Sequence, residues 1–301
     1  MSAARPRVSV LMTSYNPGPY LKPALDSILA QTLTDFELVV VEDGSTDGSK
    51  ALLHTYAAAD ARIRLHDLGK NIGRTPALNL GLSAARGDYV AVLDADDLAA
   101  PDRLAREAEL LDRRPDVVLV GSFVRFVDDS NTVLGVSTPP TDATALSEAL
   151  AYSNPFPHSS VMYRRRAALA AGGYPKDFAY AQDFALWIAL AGKGAFAMID
   201  AFLAEVREHR TPTRLAVSPQ HLASRARDGV ILYRRARKLP GLSAAARQRG
   251  RVFLAGLRYG YAREFAAAGR WGPALRELAG AFGAAPLHCL GRLFTRRAAG
   301  R

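Results

Sequence analysis

A chain of 301 residues with 49% apolar content can bury a substantial core, which excludes disorder along its whole length. Its one cysteine, Cys289, excludes an intramolecular disulfide framework and a multi-cysteine metal site, and a reducing compartment is the expectation. The formal charge of +10 is uneven: residues 220–301 hold 17 Lys or Arg against three acids, whereas residues 1–219 hold 22 basic and 26 acidic residues.

The opening MSAARPRVSVLMTSY reaches polar Thr13, Ser14 and Asn16 before a signal-peptide core develops, and no stretch approaches 18 uninterrupted apolar residues. No membrane span is expected. RVSVLMT (7–13) reads as a buried strand, and PYLKPALDSILAQ (19–31) places Leu21, Leu25, Ile28 and Leu29 at helical spacing. FELVVVED (36–43) is a second strand, followed by a helix over 47–59 that Ser45 or Thr46 can cap. RIRLHD is a third strand, TPALNLGLSAAR a helix, DYVAVLD (88–94) a fourth strand, DRLAREAELLDR a helix and DVVLVGS a further strand. Such repetition of apolar strands and helices implies an α/β fold, Rossmann-like, with a mainly parallel central sheet covered by helices on both faces.

Beyond residue 121 the pattern changes. FVRFV and TVLGVS flank the turn-forming segment 128–131 as a hairpin. HSSVMYRR, AFAMI and FLAEVRE are strand candidates, and AQDFALWIALAG (181–192) is a helix in which Leu186 and Trp187 read as core. Helices are expected over 218–238, 243–268, 271–283 and 286–297. The division drawn from this is an α/β domain over 1–217 and a basic, Ala/Leu/Arg-rich helical extension over 218–301. Its charge suits a polyanion such as the surface of an anionic membrane, or a merely solvated helical surface; no nucleic acid is expected.

In open parallel sheets, ligands bind beyond the carboxyl ends of the strands. Three strands end there in polar clusters: TSYN (13–16), EDGSTD (42–47) and DADD (94–97). No GxGxxG follows the first strand and no GxxxxGK[ST] occurs, so dinucleotide and P-loop readings lack support. Crowded carboxylates are costly unless a cation or hydrogen-bond donors compensate them, and Asp94-Ala95-Asp96 at a strand end suits Mg²⁺ and a diphosphate. Read alone, the cluster fits a helix cap and turn equally well, and Asp97 is read as shaping the turn.

The segments VSVLMTSYNPGPYLKPALDSILAQTLTDFELVVVEDGSTDGS and NIGRTPALNLGLSAARGDYVAVLDADDLAAPDRL resemble the nucleotide-sugar half of the family 2 glycosyltransferases, whose fold is GT-A. The likeness continues more loosely through NPFPHSSVMYRR, GGYP, QDFALW and VREHR, about residues 7–215 in all. It implies an inverting, non-processive transferase moving one sugar from a nucleotide-diphosphate donor, UDP-linked, to a glycan or lipid-linked acceptor in cell-envelope or surface polysaccharide synthesis. Cytoplasmic placement, at most peripheral on the inner face of the cell membrane, goes with it. Thr13 and Tyr15 would lie along the nucleoside, Asp43 would hydrogen-bond uracil, and Arg74 would sit beside the diphosphate. Asp94 would serve ribose or the metal shell. Asp96, with His209, would bind Mg²⁺ or Mn²⁺, while His158 falls on the acceptor side. Asp183 matches the catalytic base, although Gln182 stands where many relatives carry Glu. Processive members add a Q/R-x-x-R-W motif, but here Ala267 precedes Arg270-Trp271. The competing reading is a catalytically silent sugar-nucleotide or polyanion-binding protein with the same fold.

Overall fold

The computed structural model describes residues 5–178, 180–209 and 219–289. The chain forms two compact units. The first is Met1–Leu146, Pro155–Lys176 and Ala189–Arg210, and the second is Ser147–Asn154, Asp177–Ile188 and Thr211–Arg301. The division expected between residues 217 and 218 lies outside the described residues.

The first unit is built on nine strands. In chain order they are β1 (Val8–Ser14), β2 (Phe36–Glu42), β3 (Ile63–Asp67), β4 (Tyr89–Val92), β5 (Leu98–Ala99), β6 (Val117–Val127), β7 (Val133–Ser137), β8 (Val161–Arg164) and β9 (Ala195–Arg207). They run β3-β2-β1-β4-β8-β6-β9-β5 across one sheet, with β7 paired to the outer part of β6. From β3 to β4 all pairing is parallel, as the repeating sequence pattern predicts. Beyond β4 the sheet is mixed: β8 is antiparallel to β4 and β6, β9 is parallel to β6, and β5 is antiparallel to β9. Two strands expected at AFAMI and FLAEVRE are one strand, β9. Its pairing to β6 jumps from Ile199 to Phe202, leaving exposed Asp200 in a bulge that keeps its charge out of the sheet.

The helices of this unit are α1 (Leu21–Leu29), α2 (Ser49–Ala59), α3 (Arg74–Ala84) and α4 (Arg103–Arg113), with α5 (Ala143–Ala149, whose last three residues group with the second unit) and the short α6 (Arg165–Ala170). On α1, Leu21, Ala24, Leu25 and Ile28 recur at helical spacing and are buried, each full-sized aliphatic side chain contributing about 2 kcal/mol. Gly81 lets α3 lie close on the sheet, since a Cβ there would stand 2.2 Å from Leu11 Cδ1.

Two buried charge networks were not apparent as such from the sequence. Glu37, on β2, accepts from Ser9 Oγ (2.6 Å), the Arg86 backbone N–H (2.7 Å), Arg86 Nε (2.8 Å) and Arg64 Nη1 (3.0 Å). Burial alone would raise its carboxyl, but these donors outweigh burial and hold it below the ordinary glutamate value. Arg103 and Glu107 form a fully buried pair on α4, and Arg103 Nη2 also donates to the carbonyls of Val92 (2.9 Å) and Val161 (3.0 Å). It thereby ties the ends of β4 and β8 together.

In the second unit, α7 (Gln182–Leu190, whose last two residues group with the first unit) precedes three long helices, α8 (Pro219–Ala236), α9 (Ala244–Ala267) and α10 (Trp271–Ala284). Three helices thus start and stop within two residues of the lengths expected from sequence, while most of the helix expected over 286–297 lies outside the described residues. Ser243 caps α9 by accepting from the Ala246 N–H at 3.1 Å. Phe184, Tyr233 and Phe253 stack in series with ring centroids 5.0 and 4.6 Å apart, and Leu222, Ala226, Tyr261, Phe265 and Ala274 form the adjoining apolar cluster. Among the described residues no helix is long and apolar enough to cross a membrane.

Candidate active site

At the carboxyl ends of β1, β2 and β4 lies a cavity of about 590 Å³, lined among others by Thr13, Tyr15, Asp43, Arg74, Asp94, Asp96 and His209. Every residue assigned from sequence to the nucleotide or the metal therefore opens onto one space.

The loops after β1 and β2 are laced to each other. Asn16 Oδ1 accepts from the Thr46 N–H (2.7 Å), Ser45 Oγ from the Asn16 N–H (3.0 Å), and Asp47 Oδ2 from the Gly18 N–H (2.7 Å). Gly44 is required twice over: its φ is +81°, and a Cβ would lie 2.5 Å from the Asn71 nitrogen. Asp43 is buried, and both its oxygens accept backbone N–H groups, Ile72 at 2.6 Å and Gly73 at 3.0 Å. It fixes the loop that opens α3 and so points Arg74, the first residue of that helix, into the cavity. Tyr15 stands 54% exposed on the rim, available to a planar ligand.

Asp94 accepts from Arg74 Nη2 at 2.6 Å, and its other oxygen lies 3.1 Å from His158 Nδ1. Burial pushes the Asp94 carboxyl upward, but the Arg74 guanidinium and the His158 ring beside it outweigh burial and hold it well below the usual range. His158 was expected on the acceptor side; it is buried against Asp94, and its Nε2 meets Tyr174 Oη at 3.0 Å, which in turn meets Tyr163 Oη at 3.2 Å. Asp97 does help close the turn, its N–H donating to the Asp94 carbonyl at 3.2 Å. Its carboxyl reaches further, accepting from Ser159 Oγ and from the Arg207 N–H (2.7 Å), so it clamps β9 to the acidic turn. Burial and the neighbouring Asp94 and Asp96 charges push Asp97 well above the ordinary value.

His209 closes the opposite wall. Its Nε2 lies 2.9 Å from Asp96 Oδ2 and its Nδ1 3.0 Å from Asp129 Oδ1, and the hydrogen bond to Asp96, aided by Asp129, raises its pKa. Tyr20 packs on the His209 ring (centroids 5.2 Å apart) and donates to Asp129 at 2.9 Å, while the Arg207 guanidinium stacks over Tyr20 at 4.4 Å. Asp129, Tyr20 and Arg207 escaped the sequence reading. Asp129 sits in a hairpin turn, where Asp is ordinary, and only the pairing of β6 with β9 carries it to His209.

Among the described residues no group of three or more His, Cys, Asp or Glu is arrayed to hold a metal ion. The half-exposed pair Asp96 and His209 nonetheless fits one, because Mg²⁺ or Mn²⁺ on a diphosphate takes few protein ligands and completes its shell with phosphate and water oxygens. Asp183 belongs to the second unit, in the first turn of α7, where Asn154 Nδ2 donates to its Oδ2 at 3.2 Å. Ala181, two residues earlier, has φ +53°, a left-handed conformation uncommon for a residue with a Cβ. Gln182 is buried, and Leu186 and Trp187 are core as expected.

A Rossmann-like sheet with three polar strand ends around an open cavity defines an α/β protein of GT-A type. Residues 9–173 match the family described as Glycosyl transferase family 2, and the chain belongs to that family. An uncharacterized glycosyltransferase of Methanocaldococcus jannaschii is 32% identical over 209 residues, 67% of this chain and 71% of the relative. The amylovoran biosynthesis glycosyltransferase AmsE of Erwinia amylovora is 30% identical over 62% of this chain and 70% of its own. Among solved structures, S. aureus TarS 1–349 in complex with UDP-GlcNAc superposes with TM-score 0.68 at 18% identity, covering 91% of this chain and 81% of TarS 1–349, a likeness of fold. A mannosyltransferase from Pyrobaculum calidifontis in complex with GDP-Man and Mn²⁺ superposes with TM-score 0.61 at 25% identity, covering 98% and 81%.

Proposed function

We propose that the protein transfers a single sugar, with inversion, from a UDP-linked donor to a hydroxyl of a glycan or lipid-linked acceptor in envelope or surface polysaccharide synthesis. The observation that carries this reading is the convergence of Thr13, Tyr15, Asp43, Arg74, Asp94 and Asp96 on one cavity at the sheet's carboxyl edge. The name of the Erwinia relative and the UDP-GlcNAc bound to TarS are consistent with the acceptor and donor classes.

In this reading Thr13 and Tyr15 lie along the nucleoside, Asp43 hydrogen-bonds uracil while also holding the loop that opens α3, Asp94 serves ribose or the metal shell, and Arg74 presents a guanidinium fork to the diphosphate. Asp96 and His209 would hold Mg²⁺ or Mn²⁺, which would supply charge compensation for the departing diphosphate. Asp183 accepts the proton of the acceptor hydroxyl as that oxygen bonds to the anomeric carbon; the bond from that carbon to the phosphate oxygen breaks on the opposite face, and its electron pair leaves with the nucleoside diphosphate. Catalysis belongs to residues 1–217 in this assignment, and the protein works in the cytoplasm. A screen of nucleotide sugars with Mg²⁺ or Mn²⁺, comparing wild type with Asp96→Ala and Asp183→Ala, tests it. Turnover lost in both variants, with nucleotide binding kept in Asp183→Ala, is the expected result. Binding without turnover of any donor or acceptor in the wild type would make the protein a silent sugar-nucleotide binder instead.

A further inference from the structure

In the first unit, the pairing of β6 with β9 places a carboxylate behind the histidine assigned to the metal. The two strands run parallel with Val127 opposite Arg207, and two residues further along each chain stand Asp129 and His209. An ionised carboxylate only accepts, so His209 Nδ1 donates to Asp129 Oδ1 across 3.0 Å. The same oxygen accepts from Tyr20 Oη at 2.9 Å, and the Tyr20 ring lies against the imidazole. Tyr20, Asp96 and His209 line the cavity, whereas Asp129 stands behind the ring. The turn that carries Asp129 is held from two sides. Asp128 Oδ1 accepts the N–H groups of Ser130 and Thr132, both at 2.9 Å, while Arg207 donates to the Asp128 carbonyl at 2.5 Å and to Asn131 Oδ1 at 2.6 Å. Arg207 Nε also donates to the Asp96 carbonyl at 3.1 Å, so one guanidinium spans from the acidic turn to the hairpin. A half-turn of an imidazole about Cβ–Cγ puts carbon where each nitrogen stood, and the bond to Asp129 is lost in that orientation. The 2.9 Å contact of Nε2 with Asp96 distinguishes the two orientations as well, but a metal shared by Asp96 and His209 would take its place. The bond to Asp129 would outlast it.

We propose that Asp129 is a positioning residue for metal binding: through Nδ1 it fixes the His209 ring so that Nε2 faces Asp96 and the cavity. This role rests on the assignment of Asp96 and His209 to Mg²⁺ or Mn²⁺. The test is titration of the full chain with Mn²⁺ in the presence of UDP, free Mn²⁺ being read from its electron paramagnetic resonance signal. Asp129→Ala should raise the Kd for Mn²⁺ about 10–100-fold, the usual cost of losing the carboxylate behind a metal-bound histidine. Asp129→Asn can keep an oxygen toward both Tyr20 and Nδ1 and gives up only a half-exposed charge, so it should stay within about threefold of wild type. Because Asp129 acts through the ring, Asp129→Ala/His209→Ala should bind Mn²⁺ no more weakly than His209→Ala alone. Both Asp129 variants should keep the wild-type melting temperature; a fall in Asp129→Ala alongside its weaker binding would make Asp129 a structural residue of the turn and overturn the positioning role. Wild-type affinity in Asp129→Ala, beside weak binding in His209→Ala, overturns that role and leaves the metal assignment standing. Asp129→Asn as weak as Asp129→Ala, or a double variant weaker than His209→Ala, would mean that the Asp129 charge acts on the metal directly, which overturns it as well. Absence of Mn²⁺ binding in the wild type, or wild-type affinity in His209→Ala, removes the metal assignment and the role with it.

Discussion

Changing Asp43 to asparagine replaces one of two carboxylate oxygens that accept the N–H groups of Ile72 and Gly73. The new amide NH₂ faces a backbone donor, so one hydrogen bond is lost and the other loses its charge. A hydrogen bond to a charged group contributes about 1.5–3 kcal/mol, so releasing one and weakening the second costs about 2–4 kcal/mol in holding residues 71–73 at the mouth of α3. Because Arg74 is placed by that loop, nucleotide binding must reorder it, and a 2 kcal/mol cost is roughly a 30-fold rise in Kd for UDP. Amide hydrogen exchange, measured without nucleotide, reads the loop directly: Ile72 and Gly73 should lose protection in Asp43→Asn, and calorimetric titration with UDP should show the weaker binding. Unchanged protection at both amides would refute the positioning role, even if UDP affinity fell.

Two further perturbations probe the sheet that carries the site. Glu37→Gln removes the charge from a buried acceptor of four donors and should destabilise the protein by about 2 kcal/mol at neutral pH in urea unfolding. Since the folded-state value of Glu37 is depressed, its contribution is present above the unfolded glutamate value and lost as pH falls through the folded one; the variant should therefore show a shallower acid limb, and an identical limb would contradict the network. Gly87→Ala puts a Cβ 2.5 Å from the Ser9 nitrogen and 2.7 Å from the Val8 carbonyl carbon, backbone that cannot yield without moving β1, and should cost about 3 kcal/mol in the same assay; a loss below ~1 kcal/mol would mean the turn adapts.

The parallel half of the sheet was legible because its strands are continuous apolar runs ending in turn-forming polar residues, and α8 to α10 because their helical spacing is long and uninterrupted. The convergence of TSYN, EDGSTD and DADD followed from parallel topology alone. What escaped notice was set by distant pairing. Arg103 and Glu107 are charged residues of an expected helix, and only the carbonyls of Val92 and Val161, 11 and 58 residues from Arg103, make them interior. Asp129 read as a turn residue until β6 and β9 brought it to His209. Short elements such as β5, α5 and α6 have too few residues to set a period, and their conformation is imposed by the neighbours on which they lie. The partners that hold the His158 ring, buried Tyr174 and half-buried Asp94, are 16 and 64 residues away and could not be read from the local sequence.

The 2.6 Å contact between Arg74 and Asp94 means that the guanidinium facing the cavity already has a carboxylate partner before any ligand arrives. Under the proposed function, a diphosphate entering the cavity would share this guanidinium with a carboxylate, so part of the attraction would be exchanged rather than gained. The same carboxylate would stand ready to reclaim the guanidinium as the spent nucleotide leaves, so that a resident rival of this kind would trade tightness for release.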